Sequence, residues 1–438
     1  MAGAKTSEDM SPKLLWVAER AKREPEGKFY SLAHLITEDA LERAFHRLRR
    51  DAAVGVDGVT KEMYGQNLAE NFQSLLARLK AKQYRHQPIR RVHIPKGKGK
   101  TRPIGVSAVE DKIVQGAVRE VLEAVYEQDF MECSYGFRPG RSPHEAIRAF
   151  NRMAQEGETN WVLEADIKAF FDSIERERLM EMLQLRVVDG SLLRLVGKCL
   201  HVGVLNGEEY TTPEEGTAQG SVISPLLGNI YLHYVLDRWF ENEVKPRLKG
   251  SATLIRYADD FVIGFQSRED AERVLAVLHQ RMQKYGLTLH PEKTRLLAFG
   301  RPSNGTDGGG PSGFDFLGFT HYWRRTRART WRVACKTKRG SLARAFKAIA
   351  DWCRSHRHLE VKEQHAALVR RLEGHINYFG VNGNIPSLSR LIFWVTRVWH
   401  KWLNRRSQRA RITWERFQTL LRDFPLPRAR VKVNIWSA

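Results

Sequence analysis

Two adjacent aspartates inside an apolar stretch, Leu254-Ile255-Arg256-Tyr257-Ala258-Asp259-Asp260-Phe261-Val262-Ile263, constrain this chain more than any other feature. Alternation and β-branching on either side predict two strands, with Asp259 and Asp260 at the turn of a hairpin. Unpaired carboxylates in an apolar hairpin are costly unless a cation neutralises them. A hard divalent ion with oxygen ligands, Mg²⁺ foremost, does so and clamps phosphates as well. The simpler alternative is a polar turn that happens to carry two acids, since Asp is common in turns.

A further acid lies upstream. Trp161-Val162-Leu163-Glu164-Ala165-Asp166-Ile167 reads as a short strand with Asp166 at its exit, followed by Lys168-Ala169-Phe170-Phe171-Asp172. If this strand meets the hairpin, three carboxylates share one place. That arrangement suits two metal ions about 3.5–4 Å apart, activating a 3′-hydroxyl and stabilising a leaving pyrophosphate. Between the acids runs Gly216-Thr217-Ala218-Gln219-Gly220-Ser221, ahead of an apolar helix-like segment. Its glycines let a backbone approach a flat ligand, and Gln219 offers a donor and an acceptor. Taken alone, it is a Gly/Ser loop before a helix.

In this order the parts resemble bacterial group II intron-encoded reverse transcriptases, the RT/maturase proteins. The resemblance covers about residues 30–425. It rests on Gly55-Val56-Asp57-Gly58-Val59-Thr60, the run from Ile94 to Ile104, Ser134 to Ser142, the Asp166 block, Ala218-Gln219-Gly220, Tyr257-Ala258-Asp259-Asp260 and Phe316-Leu317-Gly318-Phe319. Ala218 departs from the Pro of many relatives, which alters loop stiffness rather than chemistry.

The resemblance implies an α+β right-hand polymerase, with fingers and an antiparallel palm sheet followed by an α-helical thumb, domain X. Residues 1–50 are then an N-terminal extension, 51–320 fingers and palm, 321–425 the thumb and 426–438 a basic tail. It implies that Asp166 and Asp259, with the Ile167 carbonyl and with Asp260 beside them, hold two Mg²⁺ ions. Phe171 becomes a steric gate favouring dNTPs, or else a core aromatic. Gln219 and Gly220 line the nascent base pair. Lys96 and Arg102 lie on a fingers hairpin closing on the triphosphate, Arg as a bidentate grip and Lys as a point charge; Lys98 and Lys100 read as solvated. Lys293 matches the lysine near the leaving pyrophosphate, or is a surface lysine, and Phe316 to Phe319 grip the primer end.

The implied function is an RNA-directed DNA polymerase that binds a group II intron RNA, assists its splicing and copies it into cDNA during retrohoming. Its partners are then intron RNA, an RNA template/DNA primer duplex, dNTPs and target DNA. A free-standing, host-adopted reverse transcriptase of DNA repair or defence has the same catalytic residues. A pure RNA chaperone with an idle polymerase is disfavoured because all three acids are present.

Charge locates the nucleic-acid surface. The chain carries a formal net charge of +22, and Thr320–Ala438 alone holds 27 Lys and Arg against 6 Asp and Glu. A polyanionic partner follows, met chiefly by the C-terminal segment. Eight of the 11 Trp also fall there. Leu388, Leu391, Ile392, Val395, Val398, Trp399 and Trp402 nevertheless follow helical spacing, which predicts a helical bundle with a basic exterior. Helices are expected near 341–356, 360–378, 387–406 and 413–423, with Thr37 and Ser142 as helix caps further upstream. Asn377-Tyr378-Phe379-Gly380 matches the domain X signature. Arg428, Arg430 and Lys432 form a tail that reaches DNA or is a disordered end. Cys133, Cys199, Cys335 and Cys353 lack metal-ligand spacing, which predicts reduced thiols. The His-Asn-His endonuclease domain with which many proteins of the resembled family end is not expected here. No apolar run approaches the roughly 18 residues of a membrane span, nor is there a signal-peptide core. A cytoplasmic protein associated with nucleoid or ribonucleoprotein is expected, without a membrane partner.

Overall fold

The computed structural model describes residues 10–97, 100–156, 158–206, 209–211, 216–217, 220–302, 313–326, 328–406 and 412–436. Its strands are β1 (Ile89–Gly97), β2 (Lys100–Val106), β3 (Trp161–Asp166), β4 (Val204–Asn206), β5 (Glu209–Thr211), β6 (Ala252–Tyr257), β7 (Asp260–Phe265), β8 (Arg295–Ala298), β9 (Phe314–Phe316), β10 (Phe319–Arg325) and β11 (Trp331–Thr337). They form three sheets, in the orders β2-β1-β4-β5, β6-β7-β3-β8 and β11-β10-β9.

The expected hairpin is β6–β7, and it pairs through β7 with β3 in a sheet antiparallel throughout. Side chains alternate along its strands. Phe261, Ile263 and Phe265 of β7 join Leu163 and Ala165 of β3 in the largest apolar cluster. Val262 faces the other way, with Val162, Ile255 and Phe150. Burial on both faces explains why these strands read as nearly continuous apolar runs. One covering layer includes the helix Val109–Asp129, buried along almost its whole length, with Arg176–Gln184, Ser224–Leu232 and Arg268–Lys284. The other is the helix Pro143–Glu156 with the β9–β11 sheet.

Thr37 caps its helix by accepting from the Ala40 N–H, and Ser142 accepts from Glu145, both at 3.3 Å. The C-terminal helices run Arg339–Ser355, Val361–Phe379, Ile385–Leu403 and Trp414–Asp423. Their own core holds Leu391, Val395 and Trp399, with Ile392, Val398 and Trp402 packed at its margin. The expected stripe is therefore packing. The described part of the tail, 426–436, is docked rather than loose: Val433 bridges to Val381, Ile435 is buried, and Arg430 pairs with Glu373 at 2.7 Å. Among the described residues the four cysteines are free thiols and no helix is long and apolar enough to cross a membrane.

Candidate active site

Register brings the acids together. β3 and β7 pair from Trp161 opposite Phe265 to Asp166 opposite Asp260. Directly opposed residues of an antiparallel ladder hold their Cβ atoms about 4.5–5.5 Å apart. The last β6–β7 pair is Tyr257 with Asp260, so Ala258 and Asp259 form a two-residue turn. Ala258 takes a left-handed conformation, φ +58°, which costs a residue with a Cβ roughly 1–2 kcal/mol. The Ile167 N–H donates to the Asp259 carbonyl at 3.4 Å, tying the turn to the exit of β3. Asp166, Asp259 and Asp260 thus meet at one end of the sheet.

Their fields oppose joint ionisation. Burial pushes Asp260 up to about 8, helped by the charges of Asp166, Asp259 and Glu164. Burial also raises Asp259, with Asp166 adding to the shift while Arg102 and Lys293 oppose it. The carboxylate of Asp166 is ion-paired with Lys293. That lysine is delivered by a turn whose His290 N–H donates to the Asp166 carbonyl at 2.7 Å. Among the described residues no group of three or more His, Cys, Asp or Glu side chains is placed to hold a metal ion. The acids offer oxygen ligands only, and burial disfavours the charges of Asp259 and Asp260. Such a set fits Mg²⁺, which retains water and shares its coordination with substrate phosphates.

Phe171 follows a left-handed Ala169, φ +49°, in the short turn after β3. Its ring lies 5.2 Å from that of Phe170 and packs partly against the main core. Gly228 leaves room for both rings, since a Cβ there would stand 2.9 Å from Phe170. The Thr217 N–H donates to the Phe171 carbonyl at 2.7 Å, which fastens the Gly216–Thr217 segment of the glycine loop beside it. Gly220, φ +109°, makes its close approach to the Gly105 backbone of β2. Arg102, also on β2, places its charge toward both Asp259 and Asp172.

Comparison with known proteins agrees with this geometry. Residues 94–321 match the reverse transcriptase (RNA-dependent DNA polymerase) family. Protein YkfC of Escherichia coli is 37% identical over 275 residues, spanning 55% of this chain and 71% of YkfC. The group II intron-encoded protein LtrA of Lactococcus lactis is 28% identical over 441 residues, covering 81% of this chain and 71% of LtrA. A 91 kDa protein in the cob intron of Schizosaccharomyces pombe is 34% identical across 60% of this chain and 38% of its own length. This chain belongs to the group II intron reverse transcriptase/maturase family. It is an RNA-directed DNA polymerase, a class that generally uses divalent metals such as Mg²⁺.

Not every expected residue of this reverse transcriptase joins the cluster. Lys96, by its side chain, and Gln219 lie outside the described residues, as do Lys98, the side chain of Lys100, and Ala218. Phe316 and Phe319 are buried on either side of a turn with left-handed Leu317, φ +49°, and Gly318, φ +78°. Two clefts of about 620 and 580 Å³ share Arg194 and Lys198, and none of the three acids lines either one. Sequence reasoning missed Arg256. Its signal was a lone cation in the apolar run Leu254–Ile263, and in the fold it is entirely buried.

Proposed function

We propose that this reverse transcriptase binds a group II intron RNA, assists its splicing, and copies it into cDNA during retrohoming into target DNA. The observation supporting the reading most directly is the register that sets Asp166 opposite Asp260, with Asp259 in the adjoining turn. In this reading residues 51–320 are fingers and palm, 321–425 the thumb, and 1–50 the N-terminal extension. The helical bundle with its basic exterior meets RNA phosphates, and the protein works as a ribonucleoprotein near the nucleoid. The charge balance of Thr320–Ala438 supports that placement.

Asp166, Asp259 and the Ile167 carbonyl hold two Mg²⁺ ions, with Asp260 beside them. When bound, these ions acidify the primer 3′-hydroxyl and offset the charge of the triphosphate. The chain's own residues orient and select. Lys96 and Arg102 close on the triphosphate, and Lys293 exchanges its pairing with Asp166 for the leaving pyrophosphate. Phe171 excludes a 2′-hydroxyl, while Gln219 and Gly220 line the nascent pair. The Phe316–Phe319 turn holds the primer end.

The test is primer extension by the purified protein on an RNA template with dNTPs and Mg²⁺, alongside splicing of candidate intron RNA at low Mg²⁺. Extension that stops on chelation, with splicing accelerated by the protein, is expected. Absence of extension contradicts the polymerase site. Extension without any effect on splicing removes the maturase role.

A further inference from the structure

Arg256 lies in β6, three residues before Asp259, with its side chain wholly inside the protein. All five of its guanidinium donors are engaged. Nε donates to Asp237 Oδ1 at 2.7 Å, and Nη2 donates to Asp237 Oδ2 at 2.6 Å and to Ser134 Oγ at 2.7 Å. Nη1 donates to Asn229 Oδ1 at 3.0 Å and to the Ala258 carbonyl at 3.1 Å.

The partners are themselves fixed. Asn229 donates to the Gly136 carbonyl at 2.7 Å, and a side chain at Gly136 would collide with the Ala258 backbone. The Arg256 N–H donates to Cys133 and its carbonyl accepts from Tyr135, at 2.7 and 2.8 Å. Asp237, also wholly buried, closes a π-helical segment, His233–Asp237. Such turns depart from the α-helical register and recur at functional sites.

Stability alone does not account for this arrangement. Two fully buried charges gain little over apolar side chains of the same shape. What the pair supplies is direction. A planar fork held at four points presents its remaining N–H to the carbonyl of Ala258, whose left-handed backbone L-residues avoid. The same peptide unit leads directly into Asp259.

We propose that Arg256 is a positioning residue for DNA synthesis: anchored by Asp237, Asn229 and Ser134, it pins the Ala258 carbonyl and so aims the Asp259 carboxylate at the reacting groups. This inference rests on the assignment of Asp259 to the active site.

The test is single-turnover dNTP incorporation on a DNA primer annealed to RNA, with thermal melting and duplex binding measured on the same preparations. Arg256→Met combined with Asp237→Leu replaces the charge pair by apolar side chains and is expected to melt close to the wild type. Its incorporation rate at saturating dNTP should fall about a hundredfold, the scale of an ångström-sized misplacement. Duplex affinity and dNTP affinity should stay nearly unchanged. Wild-type incorporation by this double variant overturns the proposal and leaves the network a purely structural one.

Should that variant not fold, Arg256→Lys keeps the buried charge and carries the test. Adding Ala258→Gly to it should recover several-fold of the lost rate, because glycine holds a left-handed turn without a clamp. No recovery overturns the proposal. Asp259→Ala is run in parallel. If it retains synthesis, the site assignment itself has failed; if it is inactive while the Arg256 variants are normal, only the positioning role has.

Discussion

The Tyr378 hydroxyl donates to the Leu317 carbonyl, 2.9 Å away, and so ties the helix Val361–Phe379 to the left-handed turn between β9 and β10. The same residue stacks on Phe319, with centroids 5.8 Å apart, and its carbonyl accepts from His144 Nε2 at 2.7 Å. The C-terminal helices are thereby coupled to the proposed primer-gripping turn. Tyr378→Phe removes one hydrogen bond and little else, a loss of about 1 kcal/mol. The expected result is shorter extension products from the same initiation rate, read on a primer-extension gel with a trap for released enzyme. Unchanged product lengths would separate that bond from primer handling.

Phe171 is wedged between Phe170 and the glycine at position 228, with its backbone latched to Thr217. In the proposed gate role, truncating it opens space for a sugar 2′-hydroxyl. Phe171→Ala should raise ribonucleotide use relative to dNTPs by about 10–200-fold, the range one apolar contact provides. Competition between rNTP and dNTP at a single template position measures this. Equal discrimination in variant and wild type would make Phe171 a core aromatic and nothing more.

Asp189 caps the helix Gly190–Leu200 by accepting from Ser191 and Leu192, and also accepts from Leu32 and Ala33 at 2.6 and 2.7 Å. Burial alone would raise its carboxyl, but these four N–H donors outweigh it and hold the group below its usual range. Asp189→Ala orphans donors on two segments far apart in sequence, at a cost of about 2–4 kcal/mol. A melting temperature several degrees lower is expected, with the N-terminal helices exchanging amide hydrogens faster.

Two histidines set an acid limit on the fold. Burial holds His321 at about 4, packed among Phe150, Phe314 and Phe316. Burial, reinforced by Arg238, Arg256 and Arg138, holds His233 at about 3. Both stay neutral in the fold while an unfolded chain takes up their protons below about pH 6.5. Stability is therefore complete above that pH and drains away as pH falls toward 4, at about 1.4 kcal/mol per pH unit for each group. His321→Phe should flatten that limb in denaturant melts between pH 7 and 5. An unaltered slope would mean the imidazole is protonated in the fold.

RNA binding should weaken steeply with salt, because phosphate contacts release counterions. Several contacts from the basic C-terminal helices predict an affinity loss of about 10³-fold or more between 50 and 200 mM salt. A flat response in filter binding would place the recognition elsewhere.

The acidic hairpin was legible because its strands are short, apolar and local, whereas the pairing of β3 with it stayed a condition that only the register of Asp166 opposite Asp260 meets. The stripe from Leu388 to Trp402 was legible for the same reason, since one helix carries its own period. Arg256 was not. Its anchor Asp237 sits on a π-helical turn that no regular period announces, and Asn229 and Ser134 come from other segments. The Lys293–Asp166 pair depends on how the chain turns after Leu289, and the docking of Ile435 on the Val381 bridge between segments fifty residues apart. The close approach of Gly220 to the β2 backbone likewise depends on a distant partner. Long-range partners, rather than residue types, were the missing information.

The most direct measurement is single-turnover dNTP incorporation by Asp259→Ala beside its affinity for the primer/template duplex. The account predicts a fall of about 10³-fold or more in rate, about 4 kcal/mol of transition-state stabilisation, with duplex affinity within about twofold of the wild type. Incorporation at the wild-type rate would contradict it, and would mean that the aspartates at the end of the β3–β7 ladder do not carry the chemistry.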